Sequence, residues 1–333
     1  MTTLILIWAF IISFAIIMYV LLDGFDLGIG ILFPFIRDHH HRDIMMSTVA
    51  PVWDGNETWL VLGAAALYAA FPIAYSTLLP ALYMPLMILL AALIFRGVAF
   101  EFRFKAHKTR IIWDIAFAGG STIAAFGQGV VLGTFVKGYG DALPSTLPTL
   151  AWLTPFSITT GIAVVCGYAL LGATWLIIKT EGELQKEMYR AAGFLLAVVS
   201  IFLVVVSIWS PLLSYPIYLR WFTLPNFAYL SPLPILTGIS ILANFYFLYK
   251  RAPERMPFIL SICLFIFAYI GFCISSWPYI IPHSVEVWNA ASPPTTLKFT
   301  LVGVAILLPV LLIYTVHSYH VFRGKVTSGE GHY

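Results

Sequence analysis

Asp23 and Asp26 stand three residues apart in the run DGFDLGIG, and Asp54 and Glu57 stand three apart in VAPVWDGNETWL. On a helix that spacing puts each pair on one face. Both runs adjoin long apolar stretches, where an ionisable group is costly and is either paired or functional. Carboxylates crowded at low dielectric can exchange protons near neutral pH, and a guanidinium among them opposes that by keeping one ionised. The run FRGVAFEFRFK supplies the guanidinium of Arg96, with Glu101 on the same segment. Asp23, Asp26, Asp54, Glu57, Arg96 and Glu101 are therefore the candidate set, with Trp53 beside Asp54 at the start of the second run. Two chemistries are open to it: an ion-pair network that fixes helices together, or a polar route that conducts protons. Plainer roles compete. Acids at a helix start answer free N–H groups and the macrodipole, which makes Asp54 a good cap, and Gly24, Gly28 and Gly30 let another helix approach closely.

The elements that must position these groups are membrane helices. The 333 residues are 60% hydrophobic and 10% charged, with a mean hydropathy of +0.92, which excludes a soluble domain with a charged shell. Apolar runs bounded by charge or Pro/Gly predict nine spans, near 4–36, 56–76, 78–100, 111–136, 151–178, 190–213, 232–250, 256–279 and 297–321. At about 20 residues each, nine spans leave room for short loops and no sizeable extramembrane domain. The N-terminus MTTLILIWAF has no basic residue before its apolar run and reads as a retained first span.

Of the 18 Lys and Arg residues, fourteen fall in one alternating set of loops, three in the other set and one, Arg96, inside a span. Positively charged loops resist translocation, so the N-terminus is expected outside and the C-terminus in the cytoplasm. On that topology Asp23 and Asp26 lie about 30 Å along the first helix. All the candidate acids then fall in the cytoplasmic half of the first three spans. The pattern shows no clear internal repeat, and a duplicated four-helix bundle with a ninth helix is one arrangement among those left open. The chain reads as a single membrane domain, 1–333, with 1–136 and 151–279 as halves and 297–321 as a last helix.

Other chemistries find little support. Intramembrane haem needs axial ligands at mid-depth, and His39, His40, His41, His107, His283, His317, His320 and His332 are not clearly there. His317 and His320 read as helix-end residues beside Arg323, and Met84 and Met87 as core or lipid-facing. Cys166, Cys263 and Cys273 form neither a disulfide framework nor a CxxC site. No GxxxxGK[ST], GxGxxG or HExxH appears, and a net charge of +3 makes no case for nucleic acid. A proton-coupled secondary transporter stays open, although the second half holds almost no buried charge where a carrier with symmetric halves would. A purely structural subunit stays open too.

DGFDLGIG at 23–30, APVWDGNETWL at 50–60, FRGVAFEFR at 95–103 and PHSVEVWNAASPPTTL at 282–297 resemble, in order and spacing, subunit II of the cytochrome bd ubiquinol oxidases. APVWDGNE looks like the cyanide-insensitive, short-loop branch. The resemblance implies an all-α integral membrane protein of nine transmembrane helices, two four-helix bundles plus one peripheral helix, in a bacterial cytoplasmic (inner) membrane. It implies a haem-free subunit paired with a subunit I that carries two haems b, haem d and the quinol site, the substrate being ubiquinol or menaquinol. The complex would oxidise quinol, reduce oxygen to water and build a proton gradient. Small single-span accessory subunits, and a structural quinone held by this subunit as in some members, also follow from the likeness. Asp54 carries over as part of a cytoplasmic proton route, with Trp53, Asp23 and Asp26 as neighbours and Glu101 in the family's acidic place after FR. Gly119, Gly120, Ala124, Ala125, Ala291 and Ser292 are candidate subunit contacts, weighed against ordinary packing within the chain.

Overall fold

The computed structural model describes residues 1–106, 108–138, 148, 150–282 and 284–326. The first helix, α1 (Thr2–Leu32), runs on through a 3-10 turn at Phe33–Phe35, and the short α2 (His39–Ser47) follows. Then come α3 (Trp53–Ala70), α4 (Pro72–Ala81), α5 (Tyr83–Arg103) and α6 (Arg110–Lys137). The second part holds α7 (Pro155–Lys179), α8 (Gly182–Leu213), the short α9 (Tyr215–Phe222) and α10 (Asn226–Leu230), α11 (Pro232–Lys250) and α12 (Met256–Ser276). A two-stranded ladder, β1 (Tyr279–Ile281) with β2 (Val285–Glu286), and α13 (Val287–Ala290) lead into α14 (Pro294–Val321).

Eight segments among the described residues are long and apolar enough to cross a membrane. The expected second span, 56–76, is not among them. Its helix α3 opens on the polar run WDGNET and stops at Ala70, because Pro72 disfavours a helical conformation at Phe71 and cannot donate back into the helix. The break leaves carbonyls free, and the segment before α14 closes it. Ser292 N–H donates to the carbonyl of Ala70 at 2.8 Å and Ser292 Oγ to that of Ala69 at 2.8 Å. Helix α8 starts at Gly182 instead of near 190, since the amphipathic stretch GELQKEMY extends it beyond the apolar run.

Helix α1 is central. It packs against α3, α6 and α7; α5 lies on α6, α8 on α7, α11 on α12, and α12 on α7. From Asp23 to Phe33 every residue of α1 and the turn after it is buried, the two carboxyl groups of Asp23 and Asp26 included, so this part of the helix is enclosed all round. The crossing with α7 is backbone against backbone: a Cβ on Gly28 would overlap the Tyr168 carbonyl and one on Gly172 would meet Gly28. Gly120, Ala124, Ala125 and Ser292 are occupied in packing within the chain, whereas a Cβ on Gly119 would touch nothing. At the end of the bundle away from the basic turns, Trp8, Phe71, Leu78, Ile281, Val287 and Leu297 form a separate apolar cluster, with Trp8 Nε1 donating to the Leu297 carbonyl at 3.1 Å.

Candidate functional site

The second half of α1, the start of α3 and the second half of α5 converge on one polar interior. Asp23 and Asp26 sit on the enclosed part of α1, Asn56 and Glu57 in the first turns of α3, and Arg96 on the buried face of α5. Arg96 Nη1 donates to Asp23 Oδ1 at 2.6 Å, both side chains being fully buried. Arg96 Nη2 donates to Glu57 Oε2 at 3.2 Å, and Glu57 keeps 26% of its side chain exposed. Asp26 has a carboxamide in place of a cation: Asn56 Nδ2 donates to Asp26 Oδ2 at 2.7 Å. Tyr319 of α14 donates its hydroxyl to Asn56 Oδ1 at 2.9 Å.

Two carboxyl groups thus pair with one guanidinium, and a third, Asp26, is held on the same face of α1 by a carboxamide. Asp23 Oδ2 and Asp26 Oδ1 are buried without a hydrogen-bond partner. Such orphaned acceptors are expensive in an apolar interior, and a bound proton or a water chain removes the cost. A second polar string runs alongside, in which Tyr168 donates to Gln128 Oε1 at 2.6 Å and Gln128 Nε2 to the Tyr19 hydroxyl at 2.8 Å.

Of the candidates read from sequence, the structure brings together Asp23, Asp26, Glu57 and Arg96. Trp53 lies beside them, stacked on Phe100 at 4.9 Å with the Arg96 guanidinium 5.9 Å from its ring. Asp54 is exposed in the first turn of α3. Glu101 is exposed and reaches Lys105 at 3.8 Å, away from the interior group. Sequence reading missed Tyr19, Gln128, Tyr168 and Tyr319, whose only signal was a polar atom inside an apolar run, and it did not use Asn56 beyond its motif.

It also missed a second buried ion network at the end where the basic turns gather. Arg103, counted as a loop charge, is fully buried, its Nε donating to Asp114 Oδ1 at 2.5 Å and its Nη1 to Asp43 Oδ1 at 2.6 Å. Arg42 Nη1 reaches Asp114 Oδ2 at 2.9 Å, and Arg110 pairs with Asp43. Partial burial pushes the Asp43 carboxyl up, but the hydrogen bonds from Arg110 and Arg103 outweigh it and hold the group below its ordinary range. Asp114, four residues after Arg110 in RIIWDIAF, was the available signal.

His39 and His40 are exposed, His41 is half-buried, and His317 and His320 lie on the open surface of α14. His107, His283 and His332 lie outside the described residues. Among the described residues no group of three or more His, Cys, Asp or Glu could hold a metal ion. The interior groups around Arg96 are carboxylate, carboxamide and phenol, and among the described residues no imidazole or thiolate is hydrogen-bonded to them.

The family described as cytochrome bd terminal oxidase subunit II matches residues 4–322. Cytochrome bd-I ubiquinol oxidase subunit 2 of Escherichia coli strain K12 is 28% identical, covering 97% of this chain and 95% of its own length. Cytochrome bd ubiquinol oxidase subunit 2 of Bacillus subtilis strain 168 is 30% identical, over 97% of each chain. Among solved structures, bd oxidase from Geobacillus thermodenitrificans shares the fold with a TM-score of 0.74 at 18% identity, over 96% of this chain and 99% of that one.

Proposed function

The chain belongs to the cytochrome bd terminal oxidase subunit II family, and on that premise we propose that its interior carboxylates carry protons from the cytoplasmic side towards the oxygen-reducing centre of its partner. It is a subunit of a respiratory quinol oxidase in the bacterial inner membrane, an oxidoreductase as a complex, and it works with a subunit I. That membership sets aside the transporter reading.

The finer architecture is part of the proposal. We read nine spans, taking α3 and α4 together as the second. We assign two groups of four, namely α1, α3 with α4, α5 and α6, then α7, α8, α11 and α12, with α14 outside them and α7 packed on α1 and α6 across the division. The halves 1–136 and 151–279 and the last helix 297–321 follow that division. We take the end at which Lys and Arg crowd as the cytoplasmic one, since basic loops resist translocation. We assign the two haems b, haem d and the site for ubiquinol or menaquinol to subunit I. In the assembled enzyme the haems supply electron transfer and oxygen reduction. Among the described residues the carboxyl, amide and phenol groups of the interior do not fit a haem.

One observation carries the proton route: two carboxyl groups pair with a single buried guanidinium, a third, Asp26, is bonded to a neutral carboxamide, and Asp23 and Asp26 each keep one oxygen without a partner. A site with more acid than base can take up a proton without leaving a buried positive charge. Asp54 is exposed and Glu57 half-exposed, which makes the start of α3 the entrance. Glu57 shares Arg96 with Asp23, and Asp26 lies on the same face of α1 as Asp23. Arg96 holds the ion pair in place while Asp26, bonded to neutral Asn56, is free to gain and lose a proton. Trp53 and Phe100 wall the guanidinium off from lipid. Glu101, exposed beside Lys105, serves at most as a collector of protons at the surface.

Asp54→Asn is expected to leave haem content and assembly intact and to lower quinol-driven oxygen consumption. Unchanged turnover in a fully assembled Asp54→Asn complex would remove Asp54 from the route.

A further inference from the structure

Helix α14 is held loosely. It packs mainly against α3 and α1, and its only fully enclosed residue, Leu297, lies at its start. Near its far end Tyr319 nevertheless makes a specific contact, setting its hydroxyl on Asn56 Oδ1 and its ring against Trp175 and Phe25. The direction of that hydrogen bond matters. A hydroxyl donating to the carbonyl side of the Asn56 carboxamide turns the NH2 side towards Asp26. The Leu22 carbonyl, 3.3 Å from Asn56 Nδ2, favours the same face more weakly, so without the Tyr319 hydroxyl the amide loses the closer of its two restraints outside Asp26.

A peripheral helix does not hold such an alignment by itself, and the residues just after it are tied down. Lys179, at the end of α7, donates to the carbonyls of Phe322 and Gly324, and Val326 N–H returns a bond to the Lys179 carbonyl at 2.9 Å. Lys325 Nζ donates to the Thr180 carbonyl at 3.2 Å, pairs with Glu254 Oε2 at 2.8 Å and lies 3.7 Å from Glu181 Oε1. Gln185 of α8 donates to Glu254 Oε1 at 2.8 Å and so ties α8 to the α11–α12 turn. Partial burial pushes the Glu254 carboxyl up, but bonds from Lys325 and Gln185 more than offset it and hold the group ionised against the lysine. The ends of α7, α8, α11 and α14 meet on one ammonium group.

We propose that residues 322–326 form a clasp that sets the position of α14, and that Tyr319 is thereby a positioning residue for Asp26, fixing the face that Asn56 turns towards the carboxyl group. The inference rests on the reading of Asp26 as a proton carrier. Lys325 acts on the interior only through Tyr319, so its loss, with the Lys179 bonds to the segment still in place, disturbs the carboxamide in the same direction as loss of Tyr319 and by no more.

The test uses the assembled oxidase and infrared difference spectra between its oxidised and reduced forms, with the Asp26 carboxyl band located by its disappearance in Asp26→Asn. Tyr319→Phe and Lys325→Ala are expected to shift that band in the same direction and to slow oxygen consumption by up to about tenfold, the size of one lost hydrogen bond. The double variant should be no slower than Tyr319→Phe, and Lys325→Arg should restore both readouts. If Lys325→Ala fails to assemble, Lys325→Gln, which keeps a donor for Thr180 and drops the charge, takes its place. An unmoved band in Tyr319→Phe, or losses that multiply in the double variant, would overturn the clasp. A shifted band with unchanged turnover keeps the clasp and removes Asp26 from the proton route. If Asp26→Asn removes no band, the carrier reading fails, and the clasp then stands or falls on whether Lys325→Ala shifts the phenol band of Tyr319.

Discussion

Two buried ion networks lie near the same end of the bundle and are built from the same residue types at similar distances, yet their balances are opposite. Around Arg96 two carboxyl groups share one guanidinium and a third, Asp26, meets the neutral Asn56 amide, and the unpartnered atoms include two carboxylate oxygens, Asp23 Oδ2 and Asp26 Oδ1. Around Asp114 two carboxylates serve Arg42, Arg103 and Arg110, both Asp114 oxygens are taken, and the unpartnered atoms are donors, Arg103 Nη2 and Arg110 Nε. A surplus of acceptors invites a proton. A surplus of permanently charged donors cannot give one up, because a guanidinium does not titrate in a protein. The first network is suited to proton exchange and the second to joining α2, the end of α5 and the start of α6 beneath Phe33.

The largest expected effect breaks the first network at its cation. Arg96→Met leaves Asp23 buried without a partner, and the folded complex should lose about 3–5 kcal/mol; thermal unfolding of the purified oxidase and its haem content measure this. Next, Asp26→Asn keeps the size and the contact with Asn56 but removes the exchangeable proton. Oxygen consumption per haem should fall by about a hundredfold, the lower end of general acid–base contributions, with assembly intact. In the second network Asp114→Asn should cost stability, about 2–3 kcal/mol because Arg103 loses a charged partner, while turnover per assembled complex stays at the parent value.

Asp43 gives a smaller effect with a defined sign. Its carboxyl is held low in the folded chain, so its stabilisation is complete above the ordinary carboxylate range, near about pH 4, and is lost as the pH falls through the lower folded value. The acid limb of the stability curve should therefore flatten in Asp43→Asn, as read by unfolding midpoints taken across that range. The smallest effect is expected of Glu101→Gln. Its pair with Lys105 is exposed, and the change in stability should stay within about 0.5 kcal/mol.

The two networks were not equally legible in the sequence. Asp23, Asp26 and Glu57 stand out because a carboxylate within or beside a long apolar run is rare, and Arg96 because it is the one basic residue inside a span. Arg103 and Asp114 were passed over because charges just inside a helix end look like charges of the adjoining turn; only the fold shows that α2 and the start of α6 enclose them. Tyr319 meets Asn56 across 263 residues, a pairing no local pattern announces. The helices followed the apolar runs wherever composition alone decides. The sequence reading placed a span at 56–76, where the structure has two helices, since the stop at Phe71 depends on Pro72 and on Ser292 arriving from the far end of the chain.

Whether the acid-rich network carries protons and the arginine-rich one does not is read most directly from quinol-driven oxygen consumption per haem in two assembled complexes, Asp26→Asn and Asp114→Asn. A large loss is expected in the first and none in the second. Equal turnover in the two, whether both are lowered or both unchanged, would contradict that division of roles.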